Sequence, residues 1–499
     1  MDQSDIRVRK RDEVYAIVDC DPSLRQELSE HFTFDVPGAK FTPLYRNRMW
    51  DGKIRLLNYM SGELYVGLVD YLEAYATSND YSIDLTKFDR KGEEVTSEQV
   101  KAFCDDLKPT SQGKPFEVYD YQVDAIHRVI TTGRKMLLSP TSSGKSFIIY
   151  SLVRWHFERN RRQLIIVPTT SLVEQMYSDF ADYSSLNRWD PGLHCFRIHS
   201  DAGHATKSGD YPVVISTWQS LQKLPKKFFE SFSCIYGDEA HLFKAKSLTG
   251  IMSKCVNAPY RVGATGSLDG TQTHKLVLEG LFGPVYKVTT TKKLMDSKRV
   301  ADLKIYCIVL NYKDETKRSA KFDYQQEMDF LVNNDARNRF IRNLTLKCEG
   351  NTLVLFQYVE KHGKKLLGMI QEKAGDRKVF FVYGGTDAQQ RENVRALTEK
   401  EYGAIIVASY GTFSTGISIK NLHNVIFASP SKSRIRNLQS IGRGLRISAT
   451  KDSCNLYDIG DDLSWKSRKN FTLEHMVERI KIYNEEQFNY KLIKVDLNE

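Results

Sequence analysis

From residue 136 onward, short unbroken apolar runs alternate with longer segments of helical period. The run 136–139 is followed by a loop of small residues and a helix over 147–159; the runs 164–167, 213–216, 234–236 and 261–263 repeat the pattern, each bounded by turn residues. Continuous apolar runs of this length predict strands buried on both faces of a parallel sheet, with helices as crossovers. The grammar then restarts. Residues 303–310 are strand-like, 314–348 are charged with a helical period, and 352–355, 379–382, 404–407 and 424–427 are apolar runs with helices between them. Leu473, Met476, Ile480 and Tyr483 fall at helical spacing and predict a closing helix over 471–490. Ahead of all this, strand-like 15–18 and 54–57 mix with a helical 24–32, and the polar stretch 108–115, with two prolines and a glycine, reads as a linker. The predicted fold is α/β: a small N-terminal α+β domain (1–112), two tandem parallel-sheet domains facing a cleft (113–295 and 296–465), and a helical extension (466–499).

Composition narrows the class. With 499 residues, 41% hydrophobic and 27% charged, the chain has the make-up of a multi-domain globular protein, and 30 glycines and 13 prolines exclude collagen-like or low-complexity chains. No apolar run approaches the ~18 residues of a spanning helix, and the charged start at 1–11 does not resemble a signal peptide, so a cytoplasmic protein without membrane contact is expected. The eight cysteines are never closer than 21 residues, which excludes a Cys-x-x-Cys zinc pair and predicts reduced, buried thiols. The net charge of +10 divides unevenly: residues 1–110 hold 15 basic and 21 acidic residues, or −6, leaving +16 for the remainder. Residues 402–451 hold seven basic side chains and no acid, a balance that favours a polyanion partner.

Candidate chemistry sits at the ends of the predicted strands. In Ser139-Pro-Thr141-Ser142-Ser143-Gly144-Lys145-Ser146 the glycine permits close backbone approach, so that N–H groups cradle phosphate oxygens at the start of a helix. Lys145 would reach the β and γ phosphates and the Ser146 hydroxyl would ligate Mg²⁺; Ser139 stands where the strict pattern has its leading glycine. Asp238-Glu239-Ala-His241 follows the apolar run at 234–236. There Asp238 would hold Mg²⁺ through water and Glu239 would polarise the water attacking the γ-phosphate. In the second domain, Gln439-Ser-Ile-Gly-Arg443-Gly-Leu-Arg446 puts two arginines three apart, able to face one anion. In the N-terminal region, Lys40, Arg46, Arg48, Trp50, Lys53 and Arg55 interleave with Phe41 and Tyr45, a mixture suited to backbone contact and base stacking.

Together these pieces resemble the superfamily 2 helicases and translocases, over roughly 115–460. The resemblance implies two RecA-like domains closing on ATP, with Lys145, Asp238, Glu239, Gln439, Arg443 and Arg446 catalytic and Ser146 and Asp238 holding Mg²⁺. Asp120-Tyr121-Gln122 is similar to the adenine-recognising glutamine motif, and Gly416, in the stretch 409–418, joins the ATP-binding set. His241, Thr265 and Ser267 would couple hydrolysis to movement, while Thr169, Thr170, Trp218 and Gln219 on one domain, with Thr412 and Thr415 on the other, would hold DNA backbone. The stretches 50–57, 407–418 and 488–490 resemble more narrowly the recombination and repair helicases of T-even-type phages. That likeness implies an ATP-dependent DNA motor that unwinds branched or forked DNA, migrates junctions, regresses forks and can also clear RNA–DNA hybrids; a monomer using ATP and Mg²⁺ is expected, inside the infected host cell if it is phage-encoded. A double-strand translocase that does not separate strands, and an RNA helicase, stay open as alternatives. A nucleic-acid scaffold with a dead nucleotide site is disfavoured, because all six catalytic candidates are present together.

Overall fold

A computed structural model describes residues 4–90, 92–198, 208–209, 211–244, 246–268, 271–412, 419, 421–429, 433, 438, 440–442, 445 and 451–497. The chain forms two compact units, Met1–Ser139 with Gly144–Val288, and Pro140–Ser143 with Thr289–Glu499.

The first unit opens with β1 (Ile6–Lys10), β2 (Tyr15–Cys20), β3 (Thr33–Asp35), β4 (Lys53–Arg55), β5 (Glu63–Tyr65) and β6 (Ile83–Lys87). Four of them make a mixed sheet ordered β5-β2-β1-β6. Ile6 and Val8 on β1, with Ala16 and Val18 on β2, alternate inward at the two-residue period of a half-buried sheet. They pack with the helices Pro22–His31 and Val69–Ser78 through Leu28, Leu72 and Ala76. Strands β3 and β4 form a separate antiparallel ribbon.

This small domain is welded to the larger part of its unit. Glu13 donates its N–H to Val256 O (2.9 Å), and Arg134 Nη2 donates to both the carbonyl and the carboxylate of Glu13 (2.7 Å each). Tyr71 OH donates to Glu279 Oε2 (2.6 Å), a carboxylate only 2% exposed. Gly67 is required here, since a Cβ on it would lie 2.0 Å from Glu279 O. The stretch expected as a linker is a hairpin of β7 (Thr110–Ser111) and β8 (Lys114–Pro115). Its turn N–H groups at Gln112 and Gly113 donate to the Asp182 carboxylate (2.6 and 3.0 Å), and Asn187 Nδ2 donates to Leu107 O (2.7 Å).

The rest of the first unit is built on seven parallel strands: β9 (Arg134–Leu138), β10 (Gln163–Val167), β11 (Cys195–Ile198), β12 (Val213–Thr217), β13 (Cys234–Asp238), β14 (Tyr260–Thr265) and β15 (Val285–Lys287), in the order β11-β12-β10-β13-β14-β9-β15. The central strands β10 and β12 are buried at every residue, which accounts for their unbroken apolar runs.

The second unit carries another all-parallel sheet: β16 (Asp302–Asn311), β17 (Thr352–Phe356), β18 (Val379–Val382), β19 (Ile405–Ser409), β20 (Asn424–Phe427), β21 (Ser453–Asp462) and β22 (Tyr490–Asp496), ordered β18-β19-β17-β20-β21-β16-β22. The closing helix ends at Glu485 rather than 490: Gln487 turns with φ +59°, and Tyr490-Lys-Leu-Ile-Lys-Val-Asp496 pairs with β16 as an edge strand. The helix itself starts on a borrowed cap, because the buried Glu327 carboxylate accepts from the Phe471 and Thr472 N–H groups (3.0 and 2.7 Å). Two arginines are sunk into this core. Arg337 is held by Asp461 (Nε–Oδ1 2.8 Å) and Arg479 by Asp458 (Nη2–Oδ1 2.7 Å), all four side chains at most 1% exposed. All eight cysteines are free, and seven are buried.

Candidate active site

Parallel strands deliver loops from their carboxyl ends to one edge of a sheet, and the order of the first large sheet makes β13, β14 and β9 consecutive. Their ends are level: Asp238 pairs in register with Ala264, and Thr265 with Leu138. The phosphate loop after β9, the Asp238-Glu239 pair ending β13 and Thr265 ending β14 therefore converge on one edge. Ser139 N–H donates to Thr265 O (2.8 Å), stitching the loop to its neighbour.

The loop is shaped by two left-handed residues, Ser142 (φ +67°) and Gly144 (φ +84°), and closed where Ser143 Oγ donates to Pro140 O (2.6 Å). Gly144 caps the 13-residue helix Lys145–Phe157, so the loop leads directly into the helix's N-terminal N–H groups. No larger residue fits at Gly144, since a Cβ would stand 2.2 Å from Gln122 Nε2. Gln122 is itself buried, accepting from Tyr119 N–H (3.1 Å), and Tyr121 stacks on Tyr119 with ring centroids 5.7 Å apart. The glutamine motif thus lies against the phosphate loop.

Lys145 Nζ donates to Glu239 Oε1 at 3.3 Å. Burial works to raise the Glu239 carboxyl, but Lys145 and His241 outweigh it and hold the group below the ordinary carboxylate range. Asp238 moves the other way: burial dominates and pushes it up to about 6, against the pull of Lys145. Its Oδ1 is buried without a hydrogen-bond partner among the described residues, as suits a carboxylate whose partner is a cation. The Ser146 hydroxyl meets Tyr183 OH at 2.7 Å, a partner that sequence patterning did not indicate. Asp238 and Ser146 would hold Mg²⁺ together with phosphate oxygens; among the described residues there is no cluster of three or more histidine, cysteine or carboxylate side chains able to hold a metal by itself.

A line of contacts runs back from Glu239, whose Oε2 makes no hydrogen bond among the described residues. His241 Nδ1 lies 3.3 Å from Glu239 Oε2 and 2.9 Å from Thr265 Oγ1, and Thr265 Oγ1 donates to Ser267 O (3.1 Å). The structure brings the three coupling candidates, His241, Thr265 and Ser267, into one contact chain. His274, which no sequence motif singles out, fixes it by pairing Nε2 with His241 O (2.9 Å).

The remaining candidates are dispersed. Thr169 caps the helix Thr170–Tyr183, its Oγ1 accepting from Leu172 N–H (3.3 Å); Thr170 is exposed. Gln219, exposed beside Trp218, reaches Pro168 O (3.4 Å), so the loops after β10 and β12 adjoin. Thr412 is buried, with Oγ1 2.8 Å from Ser409 Oγ. Arg46, Arg48, Lys53 and Arg55 are exposed and Trp50 is half-buried, its Nε1 donating to Lys53 O (2.8 Å). Thr141 lies in the loop between Ser139 and Ser142. Thr415, Gly416, Gln439, Arg443 and Arg446 lie outside the described residues.

Two large parallel sheets in tandem, the first presenting a phosphate loop and an Asp-Glu pair on one edge, define a superfamily 2 helicase. Three family profiles match in order: "DNA helicase UvsW, N-terminal" at residues 5–86, "Type III restriction enzyme, res subunit" at 115–269, and "Helicase conserved C-terminal domain" at 335–448. The chain is 36% identical over 513 aligned residues to the ATP-dependent DNA helicase uvsW of Enterobacteria phage T4, covering 99% of this chain and 100% of that one. It also matches the crystal structure of T4 UvsW, with TM-score 0.51, 33% identity, and coverage of 99% and 100%. A DNA-bound type ISP restriction-modification enzyme, LlaBIII, shares the fold at 16% identity and TM-score 0.56, over 77% of this chain and 32% of that one. The chain belongs to the UvsW family of helicases.

Proposed function

We propose that this protein is an ATP-dependent DNA helicase that unwinds or remodels branched DNA by junction migration and fork regression, and also opens RNA–DNA hybrids, in recombination, repair and replication. It works as a monomer, inside the infected cell if its genome is that of a phage. The observation that carries the reading is the level convergence of Lys145, Asp238-Glu239 and Thr265 on one sheet edge. The T4 relative, by its name an ATP-dependent DNA helicase, supports the polynucleotide.

Before nucleotide arrives, Lys145 is engaged by Glu239 and keeps that carboxylate a poor base. A triphosphate in the loop offers Lys145 a stronger partner. Its departure raises the basicity of Glu239, which is then free to orient the attacking water. Asp238 and Ser146 would hold Mg²⁺, which when bound would neutralise charge on the transferred phosphoryl. By the family resemblance Gln439, Arg443 and Arg446 would act on the nucleotide phosphates, Gly416 would contact the nucleotide and Thr415 the DNA backbone, whereas Thr412, buried with its hydroxyl against Ser409, is not presented to DNA in this conformation. The contacts of His241 with Glu239 and Thr265, and of Thr265 with Ser267 O, support a coupling of the state of Glu239 to the loop that follows β14.

ATPase assays with single-stranded, forked, four-way and RNA–DNA activators test the reading, together with strand displacement on forks and on linear duplex. DNA-stimulated turnover that Lys145→Ala abolishes is expected. Undiminished turnover in that variant contradicts it; movement without strand separation indicates a translocase, and preference for RNA an RNA helicase.

A further inference from the structure

The ribbon β3–β4 carries an unusual load. Its strands pair out to Asp35 and Lys53, Val36 N–H closes the next rung onto Gly52 O (2.8 Å), and residues 36–52 form one compact excursion between the two ends. Within it lie a short 3₁₀ turn, Ala39–Phe41, and a single helical turn, Pro43–Arg46. Only Ala39 and Gly52 are buried in the whole excursion. The large apolar side chains point outward instead: Phe41 is 78% exposed, Leu44 54% and Met49 75%. Met49 N–H donates to Leu44 O (2.9 Å), which ties the backbones of those two residues together. Arg48 sits in the left-handed region at φ +55°, a conformation that costs an ordinary residue stability and is kept where the local shape is needed.

More than half of each of these side chains is left uncovered, so they contribute little to the core of their own lobe. Their surroundings name the class of ligand. Lys40, Arg46 and Arg48 are exposed within the same excursion, Lys53 is exposed at the residue that follows it, and no acid occurs between residues 36 and 50. Exposed apolar side chains interleaved with exposed cations on one short excursion match the end of a nucleic-acid duplex, where the flat face of a base pair is flanked by two phosphate chains. The lobe also cannot recoil, since its domain is fastened to the first motor sheet through Glu13–Arg134 and Tyr71–Glu279.

We infer that Phe41, Leu44 and Met49 form a strand-separating wedge that stacks on the terminal base pair at a DNA branch. This rests on the helicase reading above and assigns it the element that parts the strands. The test is the variant Leu44→Ala/Met49→Ala, which keeps every cation and Phe41. A second variant, Leu44→Gln/Met49→Gln, keeps side-chain size while removing apolar character. Base pairs separated per ATP on a forked duplex should fall by about tenfold in both, while turnover stimulated by single-stranded DNA stays within about twofold. A 2-aminopurine at the branch should brighten when wild type binds and stay quenched with either variant. Unchanged separation per ATP overturns the wedge and leaves the patch to a protein partner. Parallel loss of DNA affinity and turnover also overturns it, making the lobe a general grip. Wild-type protein without DNA-stimulated turnover would instead refute the helicase reading itself.

Discussion

Asp238→Asn should stabilise the protein while destroying its activity. Asp238 is pushed from an ordinary 3.8 up to about 6 because burial at the end of β13 outweighs the attraction of Lys145. A carboxyl whose folded value lies above its unfolded one favours folding in its protonated form. The penalty is therefore absent below about pH 4, grows as pH rises through both values, and is complete above about pH 7. At 1.36 kcal/mol per pH unit, the interval from 3.8 to about 6 corresponds to a cost of ~3 kcal/mol at pH 8, and about half of that at pH 5. Asparagine reproduces the shape of the neutral acid and cannot ionise, so it removes the cost. Denaturant unfolding of the nucleotide-free protein at pH 8 should show a gain approaching ~3 kcal/mol, or roughly 5–10 °C in the melting of this unit. The gain should shrink by about half at pH 5. Mg²⁺ with a non-hydrolysable nucleotide should raise the wild-type midpoint well beyond that of the variant. A variant less stable than wild type at pH 8, or one equally stabilised at both pH values, would refute the assignment of Asp238 as a strained carboxylate awaiting a cation.

The remaining predictions concern the weld, the second core and the basic lobe. Glu13→Ala leaves the Arg134 guanidinium, only 11% exposed, without its anion and should cost about 3–5 kcal/mol, read as faster hydrogen exchange across β1 and β2. Tyr71→Phe removes one donor from the buried Glu279 carboxylate and should cost about 1.5–3 kcal/mol in the same measurement, because Glu279 Oε1 keeps the Val285 N–H at 2.8 Å. In the second unit, Asp461→Ala should cost about 3–5 kcal/mol by denaturant unfolding, while replacing Arg337 and Asp461 together by Met and Leu should recover most of it. Arg46→Ala/Arg48→Ala should lower DNA affinity and flatten the slope of log affinity against log salt by about 1.8; an unchanged slope places those cations off the backbone.

The legible parts of this chain were those whose chemistry is local. Strands β9, β10, β12, β13 and β14 announce themselves as apolar runs because both faces are covered, and the phosphate loop is legible from Gly144-Lys145-Ser146 between a strand and a helix once it is joined to Asp238-Glu239 at a second strand end. Strand β21 was hidden because Asp458 and Asp461 interrupt its hydrophobic pattern, and their reason lies in distant helices that bring Arg479 and Arg337 to them. Strand β22 falls within the stretch 466–499 expected as a helical extension, since an exposed edge strand has no buried face to mark it. The Tyr183 partner of Ser146 and the Glu239 partner of Lys145 are 37 and 94 residues away, a pairing that spacing rules do not reach. The stretch 108–115 has a linker's composition, yet Asp182 and Asn187 anchor it and its flank.

That anchoring changes what counts as a transplantable piece of this enzyme. Residues 1–107 lean on Arg134, Val256 and Glu279, so a graft that moved them alone onto another motor would arrive with an unmatched underside. The heritable module is the small sheet together with the floor it stands on, and lineages that exchange one should be found to have exchanged both.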